Sequence, residues 1–297
     1  MTRRALSRSP RMLPLYARTA ASMVPGAARL PSMPGGGGDV PGDELVLGDV
    51  RIDRARLAAY AKACGFGMRD HVPATYLHVL AFPLHMALMG DGRFPFGAVG
   101  LVHVSNRIVQ HRPLGLDEIL ELRVRATPLE PHTRGRAFTI LSAARVGDEL
   151  VWEDATTILR RERTSTDAGG AAGSARDGAA PQADPRPLAQ WRLPAGLGRR
   201  YAAVSGDRNP IHLHDAAARL LGFPRTIAHG MWTKARCLAA LEPRVPEAFS
   251  AEARFRKPVL LPSTVTFGAE PDAQGIRFAV RAARDGTPHL DGRVFPR

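Results

Sequence analysis

The sequence predicts an α+β protein in which one unit, an antiparallel sheet wrapped around a central apolar helix, is used twice. Three observations predict it. Two helical stretches, 75–89 and 230–241, are largely apolar and lack a polar face; each is followed by runs of alternating or β-branched residues; and short matches between the halves recur in the same order. At 297 residues the chain has room for two domains, and at 44% hydrophobic residues it can bury a core.

Taken in order, residues 1–42 read as a flexible tail, because Pro34-Gly35-Gly36-Gly37-Gly38 and Pro41-Gly42 favour irregular chain. Within it, 12–23 forms at most one helical segment, with no clear amphipathic period. The first unit, 43–163, starts with a short helix over 54–64. The buried helix over 75–89 follows, then strands near 101–110, 119–126, 136–145 and 150–159. The stretch 164–187 has no aliphatic or aromatic residue larger than alanine, so it cannot bury enough surface to offset its ordering entropy and reads as a flexible linker. The second unit, 188–297, repeats the plan: a short helix over 197–204, a buried helix over 230–241, and strands near 251–256, 264–269, 276–283 and 289–295.

Four matches support the repeat. Tyr60-Ala61-Lys62-Ala63-Cys64-Gly65 aligns with Tyr201-Ala202-Ala203-Val204-Ser205-Gly206, and Thr75-Tyr76-Leu77-His78 with Thr226-Ile227-Ala228-His229. Arg112-Pro113 aligns with Lys257-Pro258, and the turn ending at Gly147 with the one ending at Gly286. Each match is weak, but four in the same order are fairly specific. One sheet wrapping one helix explains why that helix has no polar face, and two such units can extend each other's sheet edges or pack side by side.

Composition excludes several classes. Only Cys64 and Cys237 are present, which leaves no disulfide framework and no cysteine-rich zinc site. The apolar run 76–89 is interrupted by His78, Pro83 and His85 and falls short of a membrane span. Arg8, Arg11, Pro14 and Arg18 break any apolar run after the start, so no secretory signal is expected and the compartment is expected to be cytoplasmic. The net charge of +13 is mostly arginine and scattered, without a basic block interleaved with aromatics, and nucleic acid is not expected as a partner.

The repeat is most informative where it breaks. The second half has Asp207 where the first has Phe66, an insertion Arg208-Asn209-Pro210-Ile211-His212-Leu213-His214-Asp215, and Gly230 where the first has Val79. The first half crosses this interval about ten residues faster. Asn209-Pro210 favours a turning backbone that brings Asp207 and His212 together, and a carboxylate beside an imidazole can polarise a water or move a proton. Spacing alone favours the plainer reading, a turn-capping aspartate near a half-buried histidine. Gly230 opens an apolar helix whose free N–H groups favour developing negative charge, and the missing side chain allows either close ligand approach or tight helix–sheet packing.

The stretch Tyr201 to His212, continued through Gly222-Phe223 to Ile227-Ala228-His229-Gly230-Met231, closely resembles the hydratase-2 motif of the MaoC-like dehydratase family. The whole of 43–297 resembles that family's tandem members, in which one half has lost the motif. The resemblance implies a double hot-dog fold. It implies reversible (R)-specific hydration of trans-2-enoyl thioesters and dehydration of (3R)-hydroxyacyl thioesters in fatty-acid metabolism. It implies Asp207 and His212 as the catalytic pair, and Gly230, Asn209 and Ser205 as oxyanion and substrate-binding residues. No cofactor or metal is expected. The carrier is coenzyme A or acyl-carrier protein, both anionic and compatible with the basic surface. The first half, with Phe66 and Val79, is expected not to catalyse. Its helix residues Leu77, Val79, Leu80, Leu84, Met86 and Leu88 line an acyl tunnel or simply pack the core. The assembly is expected to be a monomeric pseudo-dimer or a homodimer. Competing readings are an acyl-thioester binding module, a hot-dog thioesterase, and a metal-dependent hydrolase suggested by His212-x-His214-Asp215 with His229.

Overall fold

A computed structural model of the protein describes residues 2–21, 38–97, 101–162 and 183–297. At the N-terminus lie β1 (Arg3–Leu6) and α1 (Met12–Ala21). The first half contains β2 (Glu44–Val50), α2 (Arg54–Cys64), α3 (Ala74–Met89), β3 (Leu101–Gln110), β4 (Leu120–Ala126), β5 (Glu130–His132), β6 (Gly135–Val146) and β7 (Glu149–Arg161). The second contains β8 (Pro187–Leu193), α4 (Leu197–Ser205), α5 (Asp215–Leu220), α6 (Gly230–Leu241), β9 (Phe249–Phe255), β10 (Ser263–Asp272), β11 (Gly275–Ala282) and β12 (Pro288–Pro296), with single 3-10 turns at Pro210–His212 and Glu242–Arg244.

The repeat is visible in the strand order. The first half runs β2-β4-β6-β7-β3 and the second β8-β10-β11-β12-β9, the same order in both. The two join through antiparallel pairing of β3 with β9, from Ser105↔Arg254 to Gln110↔Phe249, into one continuous sheet. Each half thereby hides the edge that the other would expose. The hairpin turns at Gly147 and Gly286 both adopt positive φ, at 55° and 70°. The ends of α2 and α4 also match, at Gly65 and Gly206, where φ is 81° and 82°. A left-handed residue there suits glycine and stops the helix.

Local sequence accounts for these elements. Asp53 caps α2 by accepting from the Ala55 and Arg56 N–H groups at 2.9 and 3.0 Å. In β4, LELRVRA alternates, and Leu120, Leu122, Val124 and Ala126 point inward. Most of α3 is buried, as expected for a helix enclosed by the sheet. Both halves share one hydrophobic core. Where α2 meets α4, the rings of Tyr60 and Tyr201 lie 6.2 Å apart, and the Trp232 indole N–H donates to the Ala63 carbonyl at 2.8 Å.

The structure differs from the sequence reading in four places. Each half begins with a strand, β2 or β8, before its first helix. β2 is broken by Gly48-Asp49, with Asp49 at φ 53°, and β8 starts at a proline with exposed residues, so neither shows a periodic signal. Second, the stretch expected as a tail holds β1, which pairs in parallel with β2, and α1; Met12, Leu15 and Tyr16 of α1 pack against the core at helical spacing. Third, β8 takes in Pro187, and Asp184 pairs with Arg281, so the end of the expected linker is placed; the rest of it lies outside the described residues. Fourth, the interval between helices spans 65–73, nine residues, in the first half and 206–229, 24 residues, in the second, a larger difference than the spacing suggested. Among the described residues, no helix is long and apolar enough to cross a membrane.

Candidate active site

The long second-half interval builds the site. Gly206 ends α4 and turns the chain back, so Asp207 follows on a tight loop. The Ser205 hydroxyl accepts from the Asp207 N–H at 3.1 Å, and the Asn209 side chain accepts from the Ile211 N–H at 3.3 Å, opening the 3-10 turn that carries His212. That turn lies against α4 where Gly198 leaves room; a Cβ there would collide with the His212 carbonyl. The loop's return is pinned by Asp215, which accepts from the Thr226 N–H at 2.8 Å, and by the Ile227 N–H donating to the Ile211 carbonyl at 3.1 Å.

Asp207, His212 and His229 converge. Each presents an atom within 4.8 Å of the others, and the rings of His212 and His229 stack with centroids 3.6 Å apart. His212 Nδ1 lies 2.8 Å from the Ile227 carbonyl, which can only accept. That contact assigns the proton to Nδ1 and leaves Nε2 its lone pair. His229 Nε2 donates to the Asp207 carbonyl at 3.0 Å and lies 3.7 Å from Asp207 Oδ2. Asp207 Oδ1 accepts from the Asn209 N–H at 3.1 Å and from the Tyr16 hydroxyl at 3.4 Å. These contacts occupy Oδ1 and leave Oδ2 the more available oxygen. The Asp207 side chain is 28% exposed, so the carboxylate opens to solvent, whereas both histidines are buried.

The charge states follow from these surroundings. Burial disfavours the Asp207 carboxylate, but His229 and His212 facing it and the N–H of Asn209 outweigh that and hold its pKa below the usual value. Burial lowers the His212 pKa despite the pull of Asp207. Burial and the neighbouring His212 push His229 down to about 3. At neutral pH the site therefore holds one carboxylate and two neutral imidazoles. The same three residues form the group among the described residues compact enough to hold a metal ion, although one nitrogen of each imidazole and one carboxylate oxygen are already committed to the chain. His214, part of the sequence-level metal suggestion, instead precedes α5 at its N-cap, and Asp215 serves the Thr226 amide.

The site opens into a cavity of about 210 Å³ between the halves. Gly230 lines it as the first residue of α6, a helix start with no side-chain cap. A Cβ at Gly230 would sit 3.0–3.3 Å from the Phe255 ring, so packing asks for glycine here as well as any ligand does. Val79, aligned with Gly230 from sequence, lies inside α3, which starts at Ala74. Of the six residues offered as a tunnel, Val79 and Met86 line the cavity, and Leu77, Leu80, Leu84 and Leu88 do not.

The far wall is more polar than the sequence suggested. His78, His85 and His103 line it, beside Phe82 and Met89. His78 Nδ1 lies 2.8 Å from Asp154 Oδ2, and His85 Nε2 2.7 Å from the Ser142 hydroxyl. Behind them Asp154 bonds Asn106, which bonds the fully buried ammonium of Lys234 on α6; Lys234 also donates to the Ala251 carbonyl at 2.9 Å. Burial pulls the Lys234 pKa down to about 7, and burial with the nearby His78 pulls both His85 and His103 down to about 3. No motif in either half signals this chain of contacts, because its members come from α3, β3, β7 and α6. His229 was readable from its place before Gly230. Tyr16 was not, being 191 residues from Asp207.

The profile of the MaoC like domain matches residues 178–289. The 3-hydroxyacyl-thioester dehydratase X of Mycobacterium tuberculosis is 40% identical over 259 residues, covering 86% of this chain and 90% of that protein. The crystal structure of HtdX of M. tuberculosis superposes with a TM-score of 0.74 at 37% identity, over 84% of this chain and 98% of that one. An M. tuberculosis protein described as a double hotdog superposes at TM-score 0.50 and 17% identity, over 87% and 94% of the two chains, a likeness of fold alone.

Proposed function

Since this chain belongs to the MaoC-like dehydratase family, we propose that it is a hydro-lyase that interconverts (3R)-hydroxyacyl thioesters and trans-2-enoyl thioesters in fatty-acid metabolism. A relative covering most of the chain bears the name 3-hydroxyacyl-thioester dehydratase X, and that supports the substrate class. The observation that carries the reading at atomic level is the pair of unprotonated groups on Asp207 and His212, both lining one cavity.

Two acceptors in that arrangement hold a water by both of its hydrogens, which turns an oxygen lone pair toward the acyl chain. In hydration the water oxygen bonds to C3, its proton passes to one member of the pair, and a proton is delivered to C2. In dehydration the C2 proton is removed, the C3–O bond breaks, and the leaving hydroxyl takes up a proton to depart as water. Because Asp207 and His212 are coupled, the proton belongs to the pair rather than to either residue. The Gly230 N–H at the start of α6 stabilises negative charge on the thioester oxygen as the enolate-like state forms. Ser205 and Asn209 shape the loop beneath this chemistry through their bonds to the Asp207 and Ile211 amides.

The first half closes the cavity with residues of α3, β3 and β7. The test is hydration of crotonyl-CoA, followed by loss of the enoyl-thioester absorbance and by the configuration of the product. Formation of the (3R)-hydroxy product is expected; no turnover of enoyl thioesters on coenzyme A or on acyl-carrier protein refutes the proposal.

A further inference from the structure

We infer that Tyr16 is a positioning residue of this active site, carried to the Asp207 loop by α1 from outside the two repeated units. The inference rests on the reading of Asp207 given above.

The Tyr16 hydroxyl touches three consecutive residues. It accepts from the Arg208 N–H at 2.6 Å, and its own proton is offered to the Gly206 carbonyl at 3.1 Å and to Asp207 Oδ1 at 3.4 Å. Gly206 is the left-handed residue that turns the chain, so the phenol ties the turn to the carboxylate that follows it. Together with the Asn209 N–H, it places two donors on Oδ1. A carboxylate with one oxygen held from two directions cannot rotate freely about its Cβ–Cγ bond. The other oxygen is therefore presented to the cavity in one orientation, which is the geometric requirement for efficient proton transfer. Burial and the nearby Asp207 charge both raise the Tyr16 pKa, so the hydroxyl remains a donor throughout the working range.

The delivery of Tyr16 is anchored at several points. β1 adds to β2 in parallel, Arg3↔Glu44 to Leu6↔Leu47, with an Arg3–Glu44 contact at 3.0 Å. Pro14 sits in the first turn of α1, where a helix tolerates it. Leu15, one residue from Tyr16, reaches Gly90 at the end of α3, so the helix packs on the first half while its phenol serves the second half's loop. Tyr16 lies outside the matched domain, 178–289, and outside both repeats. The site thus draws on three separate parts of the chain.

The experiment compares wild type, Y16F and D207N in the full chain, measuring kcat and KM for crotonyl-CoA together with the melting temperature. Y16F keeps the ring and its packing and removes one hydroxyl. The expected result is a kcat lower by on the order of 10–100-fold, with KM and melting temperature unchanged, the signature of a group that acts on the transition state without binding substrate. Wild-type kcat in Y16F overturns the inference. So does a loss of kcat that disappears when the assay is run well below the variant's melting temperature, since that marks unfolding rather than a misplaced carboxylate. An inactive D207N beside a fully active Y16F overturns the role of Tyr16 alone, whereas a fully active D207N overturns the reading of Asp207 beneath it.

Discussion

Replacing Asp207 by asparagine removes one basic site while leaving the loop's shape intact. The amide oxygen can take over both bonds now made to Oδ1, from the Asn209 N–H at 3.1 Å and the Tyr16 hydroxyl at 3.4 Å. The amide nitrogen then stands where Oδ2 stood, about level with the His229 N–H at 3.7 Å, and it can neither accept a hydrogen from water nor take up a proton. His212 is left to work alone. A positioned acid–base group is worth about 10²–10⁴ in rate, so kcat for crotonyl-CoA falls by that factor, equivalent to about 2.7–5.4 kcal/mol on the barrier. Stability behaves differently. The side chain is 28% exposed and its loop contacts survive, so the change in unfolding free energy stays within about 1 kcal/mol. The assay is the rate of absorbance loss at saturating substrate, paired with a thermal melt. A variant that keeps kcat within about threefold of wild type, far short of the loss expected from a general acid–base group, refutes the role of Asp207. A variant that loses activity only by unfolding refutes the claim that its loop is otherwise intact.

Acid should destabilise the fold early. His85, His103 and His229 are each held at about 3 in the folded state by burial, against an ordinary value near 6.5. Between those values the unfolded chain binds more protons, so the stability these residues confer as neutral groups is fully present above about pH 6.5 and is lost as pH falls toward 3, by about 1.4 kcal/mol per pH unit for each histidine. Melting at pH 7.5 and at pH 5 measures this; an unchanged melting temperature contradicts the neutral state of these buried and half-buried imidazoles. Gly230→Ala is expected to be harmful through packing as well as chemistry. Its Cβ would press on the Phe255 ring at 3.0–3.3 Å, costing about 1–3 kcal/mol of stability and shifting the start of α6 away from the thioester. Chemical denaturation and kcat/KM should both worsen, and an alanine variant with wild-type values for both rules out a close approach at this position.

Some parts of this protein were legible from the chain alone, and the reason is local. α2, α3, α4 and α6 fall close to their expected bounds because capping, periodicity and left-handed glycines act over a few residues, as at Asp53, Gly65 and Gly206. The strands that alternate, such as β4, were equally plain. β2 and β8 were hidden because one is broken by Gly48-Asp49 and the other begins at a proline next to a low-complexity stretch. Their place in the sheet comes from pairing with β4 and β10, partners far along the chain.

The same division runs through the site. Asp207, Asn209, Pro210, His212 and Gly230 occupy one short region, so their chemistry could be read as a motif. Sequence alone did not separate a catalytic pair from a capped turn. Tertiary contacts supplied what bears on that choice: the Ile227 carbonyl that assigns the His212 proton, the stacked His229, and the opening of the carboxylate to a cavity. They also supplied Tyr16 and the buried chain from His78 through Asp154 and Asn106 to Lys234. A motif records residues that must be near one another along the backbone. A proton's position, a carboxylate's free oxygen and the polarity of a cavity wall depend on groups that only the folded chain brings together: Ile227 across the second half's loop, Tyr16 from outside both units, and the first half's histidines across the cavity.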